Sequence, residues 1–259
     1  MSIQDLAAEI KTNLSRGQYA KAHKLAILAA LATEGLSPSG ANGPYMEHPG
    51  HDKALESFGE QIDRIRENPA AVDTIAFGDS IMDFARGELD SVPADGNFGL
   101  AGSWPHNVTR IALQVIPALA SLQGFAPRHL VIGTPGGNPL LLNQDPAGVI
   151  AQTLFCLDAV RDEARKYWPG IQFILYGLPP TYSFNVYRAR PEYTANLIRW
   201  ADRDGNACYV DICAGFGGLF GLFPSLRMSS DGVHQTPRGM RLMDQRFQSA
   251  KSGFFRVVV

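Results

Sequence analysis

The chain has 259 residues, enough for one large domain or a domain with a small accessory segment. Its composition, 45% hydrophobic and 19% charged, is ordinary for a globular protein with a sizeable core. A formal net charge of −2, without any run of basic residues, argues against binding to nucleic acid or to an anionic membrane.

Three cysteines, Cys156, Cys208 and Cys213, are spaced too irregularly for a disulfide framework or a zinc site. Their odd number favours a reducing compartment. No apolar stretch approaches the roughly 20 residues that span a bilayer, and the N-terminus lacks the pattern of a secretory signal. We therefore expect a soluble, cytoplasmic protein without an integral membrane segment, and the oligomeric state stays open.

Residues 1–70 differ in pattern from the rest of the chain. Apolar residues recur at helical spacing near the start, and an Ala/Leu-rich stretch follows over 19–31. A loop rich in proline and glycine over 37–50 precedes a helix predicted from Lys53 to Glu67. These residues are interpreted as an N-terminal helical extension that packs on a main domain formed by residues 71–259.

From residue 72 onward, short apolar runs alternate with helical patterns. The predicted strands cover 73–77, 130–132, 172–176 and 207–212, and the predicted helices cover 108–123, 149–167, 191–202 and 237–250. Strands separated by helices of this length form a parallel sheet that is covered on both faces. The pattern predicts an α/β fold: a flavodoxin-like three-layer α/β/α sandwich with a mostly parallel sheet of about five strands.

Glycine-rich and polar residues follow the predicted strands, so they should converge on the carboxyl edge of the sheet. Ser80 comes directly after the first strand, where it could act as a nucleophile or simply begin a helix. Asp231 and His234 are three residues apart, close enough on a turn for the carboxylate to orient the ring. A helix cap beside a surface histidine is the plainer alternative for that pair.

Four sequence blocks taken together favour the catalytic interpretation. They are Gly78-Asp79-Ser80, Asn97-Phe98-Gly99-Leu100-Ala101-Gly102, Gly136-Gly137-Asn138 and Asp231-Gly232-Val233-His234. In this order they resemble the four blocks of the GDSL/SGNH hydrolase superfamily, and the match covers about residues 72–250. The spacing differs from the nucleophile elbow of α/β-hydrolases, because no glycine follows two residues after Ser80.

The resemblance implies roles for individual residues. Ser80 would be the nucleophile, His234 the general base and then acid, and Asp231 the group that orients the imidazole. The oxyanion hole would consist of the backbone N–H groups of Ser80 and Gly102 with the side-chain amide of Asn138. The family chemistry implies neither a cofactor nor a metal.

Two features depart from the family pattern. Asn138 is followed by Pro139, where many members carry an acidic residue. Only residues 81–96 separate Ser80 from Asn97, so we expect a stunted helix and a short edge strand there. The N-terminal helices would then cover the surface that this shortening exposes.

Candidate substrate-lining residues lie outside the four blocks. Phe220 and Phe223 belong to a glycine-rich apolar loop that could form a wall or lid for an acyl or alcohol group, or could pack on the core. Trp104 could line the cleft or belong to the core. His48 and His51 are separated by proline and glycine, so we interpret them as part of a polar loop and not as metal ligands.

The predicted function is serine-dependent hydrolysis of a carboxylic ester through an acyl-enzyme, with a small-molecule or glycan ester as substrate. Two alternatives stay open: acyl transfer, such as acetyl transfer to a sugar hydroxyl, and a catalytically silent binding module with the same fold. The identity of the ester, whether short-chain, lipid, thioester or acetylated carbohydrate, cannot be predicted from the residues.

Overall fold

The computed structural model describes residues 50–133, 135–179, 183–212, 233–253 and 257–258. They belong to one compact unit that begins at Gly50. Residues 1–49, the larger part of the predicted N-terminal extension, lie outside the described residues, as do Asp231, Phe220 and Phe223.

Strands and helices alternate along the described chain. The strands are β1 (Thr74–Gly78), β2 (Asn97–Gly99), β3 (His129–Gly133), β4 (Gln172–Tyr176), β5 (Ala207–Val210) and β6 (Val257–Val258). The helices are α1 (His51–Glu67), α2 (Ser80–Phe84), α3 (Pro105–Ala120), α4 (Gly137–Leu141), α5 (Pro146–Tyr167), α6 (Phe184–Asp204) and α7 (Pro237–Gly253). Among the described helices, none has both the length and the apolar composition needed to cross a bilayer.

All strand pairs of the sheet are parallel, in the order β2-β1-β3-β4-β5-β6. This confirms the predicted flavodoxin-like α/β sandwich. The sheet has one more strand than the predicted five, because the two residues of β6 pair with the outer side of β5. The short valine run that forms β6 gave too brief a pattern to be predicted as a strand.

Side-chain alternation along the strands produces the two outer layers. In β1, Ile75 and Phe77 join the larger core with α1, α3, α5 and α6, whereas Ala76 joins the smaller core with α2 and α7. The same alternation continues in β3, β4 and β5. Burial on both faces explains why these strands are continuously apolar in sequence.

Helix α1 packs beside the edge strand β2. The ring of Phe58 meets the ring of Phe98 edge-on, with centroids 5.4 Å apart. The buried amide of Gln61 donates hydrogen bonds to the carbonyl oxygens of Asn97 (3.1 Å) and Ala94 (3.0 Å). A side chain thus pairs with one carbonyl of the edge strand and one just before it, so α1 covers the start of that edge.

Several helix boundaries differ from the prediction. Helix α6 begins at Phe184 and carries Pro191 in its interior, although the sequence suggested a start at that proline. The cap is Ser183, whose hydroxyl accepts from the N–H of Val186, and the helix ends at Gly205 in a left-handed conformation (φ 73°). Helix α3 likewise starts earlier than predicted, at Pro105.

Candidate active site

The nucleophile candidate lies in the turn between β1 and α2. Asp79 caps α2, because its Oδ1 accepts a hydrogen bond from the N–H of Ile81 at 3.0 Å. Ser80 is the first residue of the helix and is 8% exposed. The five-residue helix and the three-residue strand β2 match the shortened segment expected between Ser80 and Asn97.

His234 lies beside this serine, although the two residues are 154 positions apart in the sequence. Its Nε2 lies 2.8 Å from Oγ of Ser80. The imidazole precedes α7, which begins at Pro237. For Nε2 to accept the hydroxyl proton, the neutral ring must carry its own proton on Nδ1. Asp231, the predicted partner of that proton, lies outside the described residues.

Strand β2 and the loop after it are joined to α2 by hydrogen bonds. The side chain of Asn97 donates to the carbonyl of Met82 at 2.8 Å and accepts from the N–H of Gly99 at 3.0 Å. The carboxylate of Asp83 accepts from the N–H of Ala101 at 3.1 Å. Gly102 then turns the chain with φ 82°, a conformation that glycine adopts without a steric penalty.

Asn138, in α4, is held against the same loop. Its Nδ2 donates to the carbonyl of Ser103 at 2.9 Å, so one amide hydrogen is engaged and the second can serve another acceptor. Asn138 and Ser80 also line one cleft. The structure therefore brings together three of the predicted site residues, and it joins Asn138 to the residue that follows Gly102.

The backbone just before Asn138 is hydrogen-bonded to a buried tyrosine. The N–H of Gly136 donates to Oη of Tyr193 at 3.2 Å, and Tyr193 also hydrogen-bonds the side chain of Thr153. Burial raises the pKa of Tyr193, so the phenol stays neutral and available as an acceptor. No sequence pattern indicates this contact, since Tyr193 is 57 residues from Gly136.

The cleft beside Ser80 is mainly aliphatic. Its lining residues are Asp79, Ser80, Ile81, Gly137, Asn138, Leu141, Leu178, Pro179, Val186 and Val233. Trp104 is not among them and is 4% exposed, in agreement with the alternative that it belongs to the core. The predicted lining residues Phe220 and Phe223 lie outside the described residues, so their role stays a prediction.

Phe84 is a neighbour of the site that sequence reasoning missed. Its ring centroid lies 4.6 Å from that of His234, and the side chain is 51% exposed. The signal that could have found it is its spacing, because residues four apart share one face of a helix. Phe84 is four positions after Ser80.

Other reactive side chains of the described ranges show no arrangement for metal or thiol chemistry. Across the described ranges, no group of three His, Cys, Asp or Glu side chains could hold a metal ion. His51 is buried at the start of α1, whereas His48 lies outside the described residues. Burial raises the pKa of both Cys156 and Cys208 to about 12, which keeps these thiols protonated and unreactive.

Solved structures of several ester hydrolases share this architecture. A GDSL-like lipase from Bacteroides thetaiotaomicron is 15% identical, with 75% of this chain and 98% of that chain covered at a TM-score of 0.54. The chain has the fold of GDSL-type hydrolases. A member of the lipolytic protein G-D-S-L family from Veillonella parvula is 18% identical, with 71% and 98% of the chains covered at a TM-score of 0.51.

A third structure with this fold is a catalytic mutant of an acetylxylan esterase from Geobacillus stearothermophilus. It is 16% identical, and 72% of this chain and 96% of that chain are covered at a TM-score of 0.52. No protein-family model matches the sequence, and no curated protein matches it either. At these identities the shared property is the fold, and the chemistry must be argued from the site itself.

Proposed function

We propose that this protein is a serine-dependent carboxylic ester hydrolase of the GDSL/SGNH superfamily. The observation that carries the proposal is the 2.8 Å separation between Oγ of Ser80 and Nε2 of His234. A serine hydroxyl is a weak nucleophile until an adjacent base can take its proton, and this distance is within hydrogen-bond reach. The four sequence blocks and the shared fold add support.

In the acylation step, Oγ of Ser80 attacks the ester carbonyl carbon while Nε2 of His234 takes the hydroxyl proton. The tetrahedral intermediate collapses, the bond to the leaving oxygen breaks, and His234 returns the proton to the departing alcohol. Water then attacks the acyl-enzyme with His234 again as base, which releases the carboxylic acid and restores Ser80. Asp231 is assigned to orient the imidazole, as the superfamily pattern implies.

The negative charge on the carbonyl oxygen needs donors that are fixed in advance. We assign this role to the backbone N–H groups of Ser80 and Gly102 and to the amide of Asn138. The bond from Asn138 to the carbonyl of Ser103 supports this assignment, because it fixes the amide while its other hydrogen is left for the oxyanion. Such preorganisation lowers the barrier without reorganisation during the reaction.

The substrate is proposed to be a small-molecule or glycan ester. The cleft beside Ser80 has apolar walls such as Leu141 and Val186 but holds only about 10 Å³ of free space, so it favours a small acyl group such as acetyl. p-Nitrophenyl esters from acetate to long chains therefore test both the reaction and the acyl preference.

The test compares the wild type with Ser80→Ala and His234→Ala across that ester series. A third variant, Ser121→Ala, alters a surface serine at the end of α3 and serves as the matched control. We expect hydrolysis by the wild type and the control, and none above background by the other two when both remain folded. Equal rates for wild type and Ser80→Ala would refute the proposal; turnover that requires an added sugar hydroxyl would indicate acyl transfer.

A further inference from the structure

Phe84 exposes an unusual amount of apolar surface beside the candidate base. About half of the side chain faces solvent, although its neighbours Ile81 and Met82 in α2 are buried in the core. Its ring centroid lies 4.6 Å from that of His234, with the two planes inclined by 57°. Aromatic rings at this separation attract each other beyond simple burial of area.

Helix α2 presents its residues in three directions. Ile81 and Met82 enter the core, and Asp83 accepts a hydrogen bond from the loop at Ala101. Ser80 and Phe84 are four residues apart, so they share a face of the helix.

His234 contacts both ends of that shared face. Its Nε2 approaches Ser80, and its ring stands against Phe84. A single turn of helix therefore supplies both the hydroxyl and an aromatic surface to the same imidazole.

An imidazole held by hydrogen bonds at the edge of its ring keeps some freedom about its side-chain torsions, and each alternative rotamer moves Nε2 away from the serine. A ring packed against one side of the imidazole removes part of that freedom. Because α2 is anchored in the core by Ile81 and Met82, the backbone that carries Phe84 is held in place beside His234. Positioning of a base in this way contributes to catalysis without any contact with the substrate.

We propose that Phe84 is a positioning residue that holds the imidazole of His234 in line with Oγ of Ser80. This inference rests on the proposed function. It assigns no proton transfer to Phe84, and it predicts an effect on turnover, with little effect on substrate binding.

The experiment compares Phe84→Ala, Phe84→Leu and Phe84→Tyr in the full chain, with Tyr167→Ala as control. Tyr167 is also an exposed aromatic residue, at the end of α5 just before β4, and so at the opposite edge of the sheet from Ser80. For each variant, kcat and KM are measured on p-nitrophenyl acetate, with the labelling rate by a fluorophosphonate, which reacts with activated serines independently of ester binding.

We expect Phe84→Ala to lower kcat and the labelling rate about 3- to 10-fold with KM nearly unchanged. Phe84→Tyr should restore both rates because it retains the ring, whereas Phe84→Leu, which keeps apolar bulk without the ring, should remain impaired. Tyr167→Ala should match the wild type. Circular dichroism checks that all variants are folded, and the half-exposed position makes this outcome expected for Phe84→Ala.

Wild-type rates for Phe84→Ala, in an enzyme that Ser80→Ala inactivates, would overturn the inference while the proposed function stands. A rise in KM alone would also overturn it, since Phe84 would then contact the substrate. Wild-type kcat and labelling rate for Phe84→Leu would also overturn the inference, because apolar bulk without an aromatic ring would then be sufficient. A wild type that neither hydrolyses the ester nor takes up the label would refute the proposed function itself.

Discussion

Tyr193→Phe removes one buried hydroxyl beneath the proposed oxyanion hole. In the wild type this oxygen accepts the N–H of Gly136 at 3.2 Å, two residues before Asn138. Both Tyr193 and Gly136 are buried, so the variant leaves the N–H without this acceptor and away from solvent. An unsatisfied buried donor costs about 1–3 kcal/mol, more than the net gain from an ordinary hydrogen bond.

For a domain of this size, about 1 kcal/mol shifts Tm by about 2–4 °C, so we expect Tm to fall by about 2–12 °C. We also expect kcat on p-nitrophenyl acetate to fall by up to about 100-fold, because the backbone that carries Asn138 loses a support and small displacements of an oxyanion donor are costly. Thermal unfolding and steady-state kinetics on the same preparation measure both quantities.

The matched control is Tyr209→Phe. Tyr209 is also buried, in β5, and its hydroxyl lies 3.5 Å from Oγ1 of Thr194. It should lose some stability while it keeps the wild-type kcat. If Tyr193→Phe changed neither Tm nor kcat, or if the control lowered kcat as much, the link between this hydroxyl and the oxyanion segment would be wrong.

Three further predictions concern separate parts of the domain. Asn138→Ala should lower kcat by about 10²–10³ with a smaller change in KM, measured by steady-state kinetics, because it deletes an oxyanion donor; a change in KM alone would contradict that role. Gly99→Ala should destabilise the protein in urea unfolding, because a Cβ would lie 2.6 Å from the backbone nitrogen of Asp83. Gly59→Ala, with nothing within 4 Å, should instead stabilise α1 by about 0.5–1 kcal/mol; equal effects of the two glycine variants would refute the steric argument. Burial and the nearby Lys251 lower the pKa of His129 from 6.5, so the unfolded state binds more protons below about pH 6.5. The free energy of unfolding should therefore fall as pH drops from 7 to 5, and His129→Gln should flatten that slope in urea titrations; an unchanged slope would exclude His129 as its source.

The architecture was predictable from the sequence because its signal is periodic and local. Strands such as Gln172–Tyr176 are continuously apolar and are separated by long amphipathic helices, which is the pattern of a parallel sheet covered on both faces. Helix boundaries were less predictable where a local sequence preference conflicted with packing against the rest of the domain. Pro191 favours a helix start, yet α6 begins seven residues earlier, where Ser183 caps it and Val186 packs in the core.

At the site, the sequence supplied residues whose chemistry is visible in their type and order. Ser80 and His234 are 154 positions apart, and only the resemblance to a family linked them. Phe84 and Tyr193 were not predicted. The spacing of Phe84 from Ser80 was visible in the sequence, but neither its contact with the imidazole nor the contact of a buried tyrosine with a backbone N–H has a motif of its own. Such contacts depend on where a helix meets a distant loop in space, which periodicity within one helix does not determine.

The measurement that tests the central claim most directly is the site of fluorophosphonate modification, determined by intact mass and peptide mapping. The proposed chemistry predicts one adduct for each chain, on Ser80, formed rapidly in the wild type, absent in Ser80→Ala and strongly slowed in His234→Ala. A wild type that gains no adduct, or that gains it on another residue at a rate independent of His234, would contradict the assignment of Ser80 as an activated nucleophile.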